Sequence, residues 1–450
     1  MHSEITAQTV HSSQGYRYRT VPFQAAQVSQ GPWLPIASEI HPRRPVMSKK
    51  LPNPLLPVGI DPSRDTLGVV LLHPSQDVVL EELTVQNRAP LEAQKLLDTA
   101  RRWAAKFQTQ PVFVLEATNV FWRPMASWLK AQGALVHVVS SKQTHANRST
   151  GMRKTKTDTI DAALIARLYK QGQSAAPYLP GEPYMSLREL SRLNAFLVDL
   201  RARLRKRVYT LLYQVHPLWE DCFAHPFTKA SLELMRHEWV HPQKLLAAPD
   251  HDLAEVLKEA SHGHMGKVFA ESLKALSQGL FFVHEGQDGY SYALKCLAEA
   301  DVALEGVLTM IEERLIRLLQ SLPAQLLQTI PGMSPLTTAS FLGELGDHKR
   351  FASADKAVAW FGFDPAIAQS GTDDGQGRRM SKSGTRYGRR TMFLVTLAFI
   401  RAVPQARKKF KHLIRAGRAR KEAVCIMAAD LVKICMAMLK SQSQFDPKKI

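Results

Sequence analysis

LPVGIDPSRDTLGVVLLHPSQDVVLEELTV, residues 56–85, decides the fold. Three short β-rich runs stand in it, LPVGID, TLGVVLL and DVVLEELTV, separated by Pro-Ser and His-Pro-Ser breaks that punctuate strands. Downstream the period changes. Residues 91–108 carry helical spacing, PVFVLEA (111–117) reads as a strand and 119–132 as a helix. ALVHVVS (134–140) is a further strand, and 158–172 a further helix. This alternation predicts an α/β domain around a mixed sheet, placed at 56–175.

Two long helical stretches follow, at about 186–215 and 290–320. Leu187, Leu190, Leu197, Leu204 and Leu211 recur near a seven-residue period in the first, and Leu304, Ile311, Leu315 and Leu318 in the second. The pattern predicts a central antiparallel coiled coil over 186–320, in one chain or between two. Asn194, Arg201 and Val208 make its seam imperfect. Residues 218–285 read as a helical insertion. Its His237, His241, His251, His262 and His264 show neither HExxH nor Cys/His ligand spacing, so exposed or capping histidines are expected there. A mainly α-helical C-terminal domain is placed at 324–446, where LLQTIPGMSPLTTASFL (326–342) reads as helix, tight Pro-Gly turn, helix. Residues 1–55 are expected as a disordered N-terminal extension, or in part an upstream-start artefact, with Met47 as an alternative start.

The chain of 450 residues carries 59 Lys and Arg against 40 Asp and Glu, a net charge of +19. That excess predicts a polyanionic partner, nucleic acid before a membrane surface. Residues 370–421 concentrate it, with fifteen basic side chains against Asp373 and Asp374, a density that favours phosphate contact. No apolar run reaches membrane-spanning length, TMFLVTLAFI (391–400) being ten residues long. The first forty residues lack the apolar core of a signal peptide. Cys222, Cys296, Cys425 and Cys435 are scattered without a CxxC pair, and read as reduced, buried thiols of a cytosolic protein.

Asp61 ends the first strand and Glu116 a later one, while KTKTDTIDAALIARL (154–168) sets Asp158 and Asp161 three apart at a helix start. Carboxylates at that spacing repel one another. A capped first turn, with Thr157 or Asp158 as the cap, accounts for them on spacing alone. The alternative is a cluster of four acids at the sheet edge where α/β proteins bind ligands. Such a cluster repels itself or protonates unless divalent cations neutralise it, and hard oxygen ligands call for Mg²⁺. Two such ions can clamp the attacking and leaving oxygens of a phosphodiester.

The motifs GID (59–61), LEAT (115–118), KTDTIDA (156–162), IPGMSPLTTASFLGELGD (330–347), FGFDPAIAQSG (361–371), RMSKSGTRYGRR (379–390) and LKSQSQFD (439–446) occur in a familiar order. Over about 56–446 the sequence resembles the DEDD-type insertion-sequence transposases, the bridge-RNA-guided DNA recombinases. The resemblance implies an RNase H-like (RuvC-like) N-terminal domain, a coiled coil and a C-terminal serine-bearing transposase domain. It implies that Asp61, Glu116, Asp158 and Asp161 bind Mg²⁺ or Mn²⁺, and that Ser370 is the nucleophile. Lys382, Arg386, Arg389 and Arg390 would neutralise phosphate nearby. Double-stranded donor and target DNA, a structured guide RNA and a homo-oligomer (dimer or tetramer) are the implied partners, with no membrane and a cytoplasmic, nucleoid-associated location. Gln369 stands where the family often has Glu, Asn119 where Gly is common, and Ser334 in place of the second Gly of IPGxG. On the residues alone two rivals stay open: a RuvC-like nuclease or junction resolvase using water, and a non-catalytic nucleic-acid-binding protein whose acids are structural.

Overall fold

The structure, a computed structural model, describes residues 54–117, 120–149, 158–364 and 380–449. It divides after Ala175 into two compact units. The expectation for residues 1–53 lies outside the described residues.

The first unit runs β1 (Leu56–Pro62), β2 (Thr66–Leu72), β3 (Val79–Gln86), α1 (Pro90–Lys106), β4 (Pro111–Glu116), α2 (Trp122–Ala131), β5 (Leu135–Val139), α3 (Ser141–Ser149) and α4 (Asp158–Lys170). Its sheet has the order β3-β2-β1-β4-β5. The first three strands are antiparallel, and β4 and β5 join parallel to β1. At the first turn the Ser63 hydroxyl accepts from the Thr66 amide at 3.1 Å, while the Ser63 amide donates to the Thr66 carbonyl at 2.9 Å. The apolar runs of β1, β2 and β4 are buried almost throughout, whereas β3 alternates and keeps charged side chains on the sheet edge. Helix α1 opens on Pro90, where a missing amide leaves no helical bond unmade. Helix α2 starts at Trp122 rather than 119, and α3 was not expected. SKQTHANRS has no apolar stripe for periodicity to reveal.

Helix α4 lies directly on the sheet. Ala162, Ala163 and Ala166 pack on Val70 and Leu72, and Ile165 and Leu168 pack on Val112, Val114 and Val139. Gly59 makes this approach possible: a Cβ there would stand 2.0 Å from the Ala162 carbonyl oxygen and 2.9 Å from the Ala166 Cβ.

The second unit opens with α5 (Tyr184–Val215) and continues through α6 (Trp219–Cys222), α7 (Lys229–Arg236), α8 (Pro242–Ala247), α9 (Asp250–Ala260) and α10 (Lys267–Ser277) to α11 (Gln287–Leu319). Leu187 shares a core with Ile311, Leu315 and Leu319, while Val208 and Leu211 share another with Leu294 and Ala298. Helices α5 and α11 are therefore antiparallel partners within one chain. The buried face of α11 runs through Leu294, Ala298, Asp301, Leu308, Ile311, Leu315 and Leu319, so Leu304 and Leu318 flank the seam instead of filling it.

Asp301 explains the Arg201 imperfection. Its fully buried carboxylate accepts two bonds from Arg201, both 2.8 Å, and two from Arg205, at 2.7 and 2.9 Å. Burial alone would raise its pKa; the hydrogen bonds and charges of Arg205 and Arg201 outweigh burial and hold it at about 2. The group is thus stabilising above the unfolded carboxyl pKa of about 3.9, and that contribution is lost as pH falls through about 2. Asp301→Ala should cost about 3 kcal/mol, the low end for breaking a buried pair, because Arg201 keeps Glu305. A urea midpoint unchanged from wild type would refute that role.

The insertion packs around Trp219 in the same core as Val208 and Leu211 of α5 and Leu294 and Ala298 of α11, and the Trp219 Nε1 donates to the Ser231 hydroxyl at 2.8 Å. His237, His251, His262 and His264 are exposed, as expected, but His241 is buried. It precedes α8 without capping it, and its Nε2 faces the Val283 carbonyl at 3.4 Å.

The C-terminal part comprises α12 (Pro335–Leu345), α13 (Ala354–Phe361), α14 (Arg386–Ala402), α15 (Pro404–Arg415) and α16 (Arg420–Ser441). Val424, Met427, Leu431, Cys435 and Met436 of α16 are buried in its core, whereas Cys222 and Cys425 are only half-buried and Cys296 is exposed, against the expectation of four buried thiols. The expected helix–turn–helix is present, with a 3₁₀ turn over Gln325–Thr329 in place of its first helix. Gly332 adopts φ +97°, and a Cβ there would meet the Ala398 Cβ at 2.8 Å. Ser334, the departure from IPGxG, caps α12 by accepting from the Thr337 amide at 3.2 Å. Among the described residues no helix is long and apolar enough to cross a membrane.

Candidate active site

Three acids reach one end of the first unit's sheet by separate routes. Strands β1 and β4 pair in parallel with Ile60 opposite Leu115, so Asp61 and Glu116, the next residues on each, are neighbours at the strands' C-terminal ends. Asp161 immediately precedes Ala162, the residue whose carbonyl rests on Gly59 two positions before Asp61. Asp61 is half-buried, and Glu116 and Asp161 are buried. The side chain of Asp158, in the first turn of α4, lies outside the described residues.

Thr144 of the unexpected α3 is also buried, and its hydroxyl donates to Glu116 Oε1 at 2.7 Å. That bond helps to fix the orientation of the carboxyl. Sequence reasoning missed Thr144, because a lone polar residue in a polar helix carries no pattern. The donors at this end of the sheet are carboxylate oxygens, the hard set that Mg²⁺ or Mn²⁺ takes, and in that chemistry they fit such an ion. Among the described residues no three His, Cys, Asp or Glu side chains close up into a metal-binding group.

Gly59→Val should push α4 off β1, because the obstructing atom is backbone and cannot swing aside. Displacement by about 1 Å can cost about a hundred-fold in rate. We expect strand cleavage to fall at least that far. Full cleavage by a folded Gly59→Val protein would show that the α4 approach is irrelevant to the acids.

The C-terminal candidates surround a segment that is largely outside the described residues, Ser370 included. Its two ends are joined. Ser381 donates from its amide to the Asp364 carbonyl at 2.9 Å and from its hydroxyl to Asp364 Oδ1 at 2.5 Å. Thr385 then caps α14, accepting from the Gly388 amide at 3.3 Å. Lys382 and Arg386 are exposed. Arg389 is half-buried and donates to the Phe361 carbonyl at 3.2 Å. Arg390 is committed to Asp199, reaching both carboxylate oxygens at 2.7 Å.

Beneath this basic turn lies Glu344, whose side chain is fully buried. It accepts from Arg192 Nε at 2.6 Å and from the Thr385 hydroxyl at 2.6 Å, tying α5 and α12 to the start of α14. Its signal in the sequence was a single acid in an otherwise apolar run, FLGELG (341–346).

Two family matches bracket the chain. A DEDD family described as a transposase of IS110 elements matches residues 58–217, and the "Transposase IS116/IS110/IS902 family" matches residues 324–411. The chain belongs to the IS110-type DEDD transposases. This transposase is 24% identical over 402 residues to the IS116 insertion element 44.8 kDa protein of Streptomyces clavuligerus, covering 87% of this chain and 96% of that one. It is 24% identical over 299 residues to the IS110 insertion element 43.6 kDa protein of Streptomyces coelicolor, 66% of this chain and 73% of the relative. A pilin gene-inverting protein of Moraxella lacunata is 22% identical over 338 residues, 74% of this chain and 82% of that protein. Membership makes the transposase an enzyme of DNA recombination, and its DEDD domain implies dependence on a divalent metal.

Proposed function

We propose that this transposase cuts and rejoins DNA with a serine nucleophile, Ser370, and a metal-holding tetrad of Asp61, Glu116, Asp158 and Asp161. The observation that carries the reading is the delivery of Asp61, Glu116 and Asp161 to one end of a β3-β2-β1-β4-β5 sheet. That strand order supports an RNase H-like (RuvC-like) unit, and the α5–α11 hairpin supports the coiled coil of the family. A relative named for inverting a pilin gene agrees with rearrangement of DNA.

The four carboxylates would hold Mg²⁺ or Mn²⁺, which would supply charge neutralisation and Lewis acidity at phosphoryl oxygens. Thr144 keeps Glu116 in one orientation. The Ser370 hydroxyl loses its proton and its oxygen bonds to phosphorus. A sugar oxygen leaves that phosphorus and takes up a proton as a free hydroxyl. The Ser370–DNA phosphodiester conserves the bond energy, so a second sugar hydroxyl can displace the serine without ATP. Lys382 and Arg386, exposed, and the half-buried Arg389 offer positive charge for passing phosphates, while the charge of Arg390 is already paired with Asp199. Each serine forms one such bond, and donor and target duplexes together offer four strands. A tetramer would engage all four at once and a dimer two at a time, and either agrees with the homo-oligomer that the family resemblance implies. A structured RNA as guide suits the net charge of +19.

The deciding experiment incubates the protein with labelled DNA, Mg²⁺ and RNA from the flanks of its element, then runs a denaturing gel. A DNA-linked protein band is expected. Mg²⁺-dependent nicking without that band would assign the chemistry to water and make the enzyme a nuclease.

A further inference from the structure

Helix α5 carries Phe196, Asp199, Leu200 and Arg203 at i, i+3, i+4 and i+7, so they share one face. That face borders a cavity of about 360 Å³ completed by Arg386, Tyr387 and Arg390 of α14. Phe196 is 60% exposed, a large aromatic surface turned to solvent beside three arginines. The hydrogen bonds from Arg390, with the charges of Arg390, Arg203 and Arg386, hold the Asp199 carboxyl below the usual carboxylate range. Three cations against that one carboxylate leave positive charge in excess at the cavity rim. Tyr387 is held in place: the Arg192 guanidinium lies 5.1 Å and the Arg386 guanidinium 4.7 Å from its ring centroid, and its hydroxyl accepts from Arg386 at 2.8 Å.

The combination selects a ligand. Phosphates on the outside of a duplex need cations but neither a cavity nor an aromatic wall, and bases inside a duplex cannot reach one. The volume is at the lower end of small-ligand sites, which run from about 300 to 1,000 Å³. A flat apolar ring carrying a phosphate matches both the walls and the charge, as in single-strand binding by stacking and cations. We propose that this cavity binds one unstacked nucleotide of a single-stranded segment, its base against Phe196 and Tyr387 and its phosphate on Arg203 and Arg386. Cutting and exchanging strands exposes such nucleotides, as do the loops of a structured RNA. The assignment rests on the nucleic-acid reading above and not on Ser370.

The test measures binding of the full-length protein to short fluorescent single-stranded DNA, single-stranded RNA of the same sequence, and the blunt DNA duplex. Phe196→Ala should weaken single-strand binding about ten-fold and leave the duplex unchanged. Phe196→Tyr, which keeps the stacking face, should remain within about two-fold of wild type. Arg203→Gln should weaken single-strand binding and lower its salt dependence. A 2-aminopurine in the strand should lose its protein-dependent quenching only in Phe196→Ala. The strand type that shows the loss identifies the source as DNA or RNA. Unchanged single-strand binding in Phe196→Ala, or an equal loss on duplex, overturns the proposal. Failure of the covalent-adduct assay with Phe196-dependent binding intact would remove the serine mechanism and leave this site standing.

Discussion

Asp161→Asn should abolish DNA strand cleavage, by at least about a thousand-fold, the upper range for removing one preorganised electrostatic contact. Asn keeps the shape of the side chain and removes the negative charge that a divalent ion requires. Fold and nucleic-acid affinity should persist, and binding should strengthen slightly, since one acid is gone from a basic protein. Asp61→Asn should behave alike, because β1 delivers Asp61 to the same sheet end. Nicked product quantified over time at saturating Mg²⁺ reads the effect. Wild-type cleavage in either variant would rule out the carboxylate site.

Ser370→Ala carries an equally large expectation on a different readout. The variant should bind DNA and RNA normally, yet yield neither a protein–DNA adduct nor a recombinant. Deleting one oxygen from a polar stretch changes stability by less than about 0.5 kcal/mol at most surface positions, so such a loss would be chemical. Ser381 is the nearest competitor, and the structure gives it another occupation: its hydroxyl is donated to Asp364. Ser381→Ala should therefore lower the yield of adduct by loosening the joined ends of the segment, without eliminating it. An adduct that survives in Ser370→Ala and vanishes in Ser381→Ala would reverse the assignment.

Strands announced themselves in the sequence because β1, β2 and β4 are buried on both faces and must be continuously apolar. Helix α3 left no such trace, since the one side chain it gives to the acids is a threonine bonded to Glu116. The seam of α11 was legible as a period but displaced at Leu304. A heptad reading seeks apolar residues and passes over Asp301, whose burial depends on two arginines a hundred residues away. Arg390 likewise reads as a phosphate ligand in a basic run, whereas its partner Asp199 lies on a helix remote in sequence. Charge density is a local property of sequence; charge pairing is a tertiary one. The order Asp–Glu–Asp-x-x-Asp was visible from the start, and what folding adds is the register that sets Asp61 beside Glu116.

The contact between Gly59 and the Ala162 carbonyl bears on how this enzyme can drift. Most helix–sheet spacings are set by interlocking side chains, so a methylene gained or lost in the core moves the helix. Here the spacing is set by main chain against main chain, with alanines at 162 and 166 on either side. Core substitutions elsewhere in the sheet can then trade stability without altering the reach from Asp161 to Asp61. Sequence divergence in the surrounding core and constancy of the chemical centre become separable, and the residue that separates them is a glycine with no chemistry of its own.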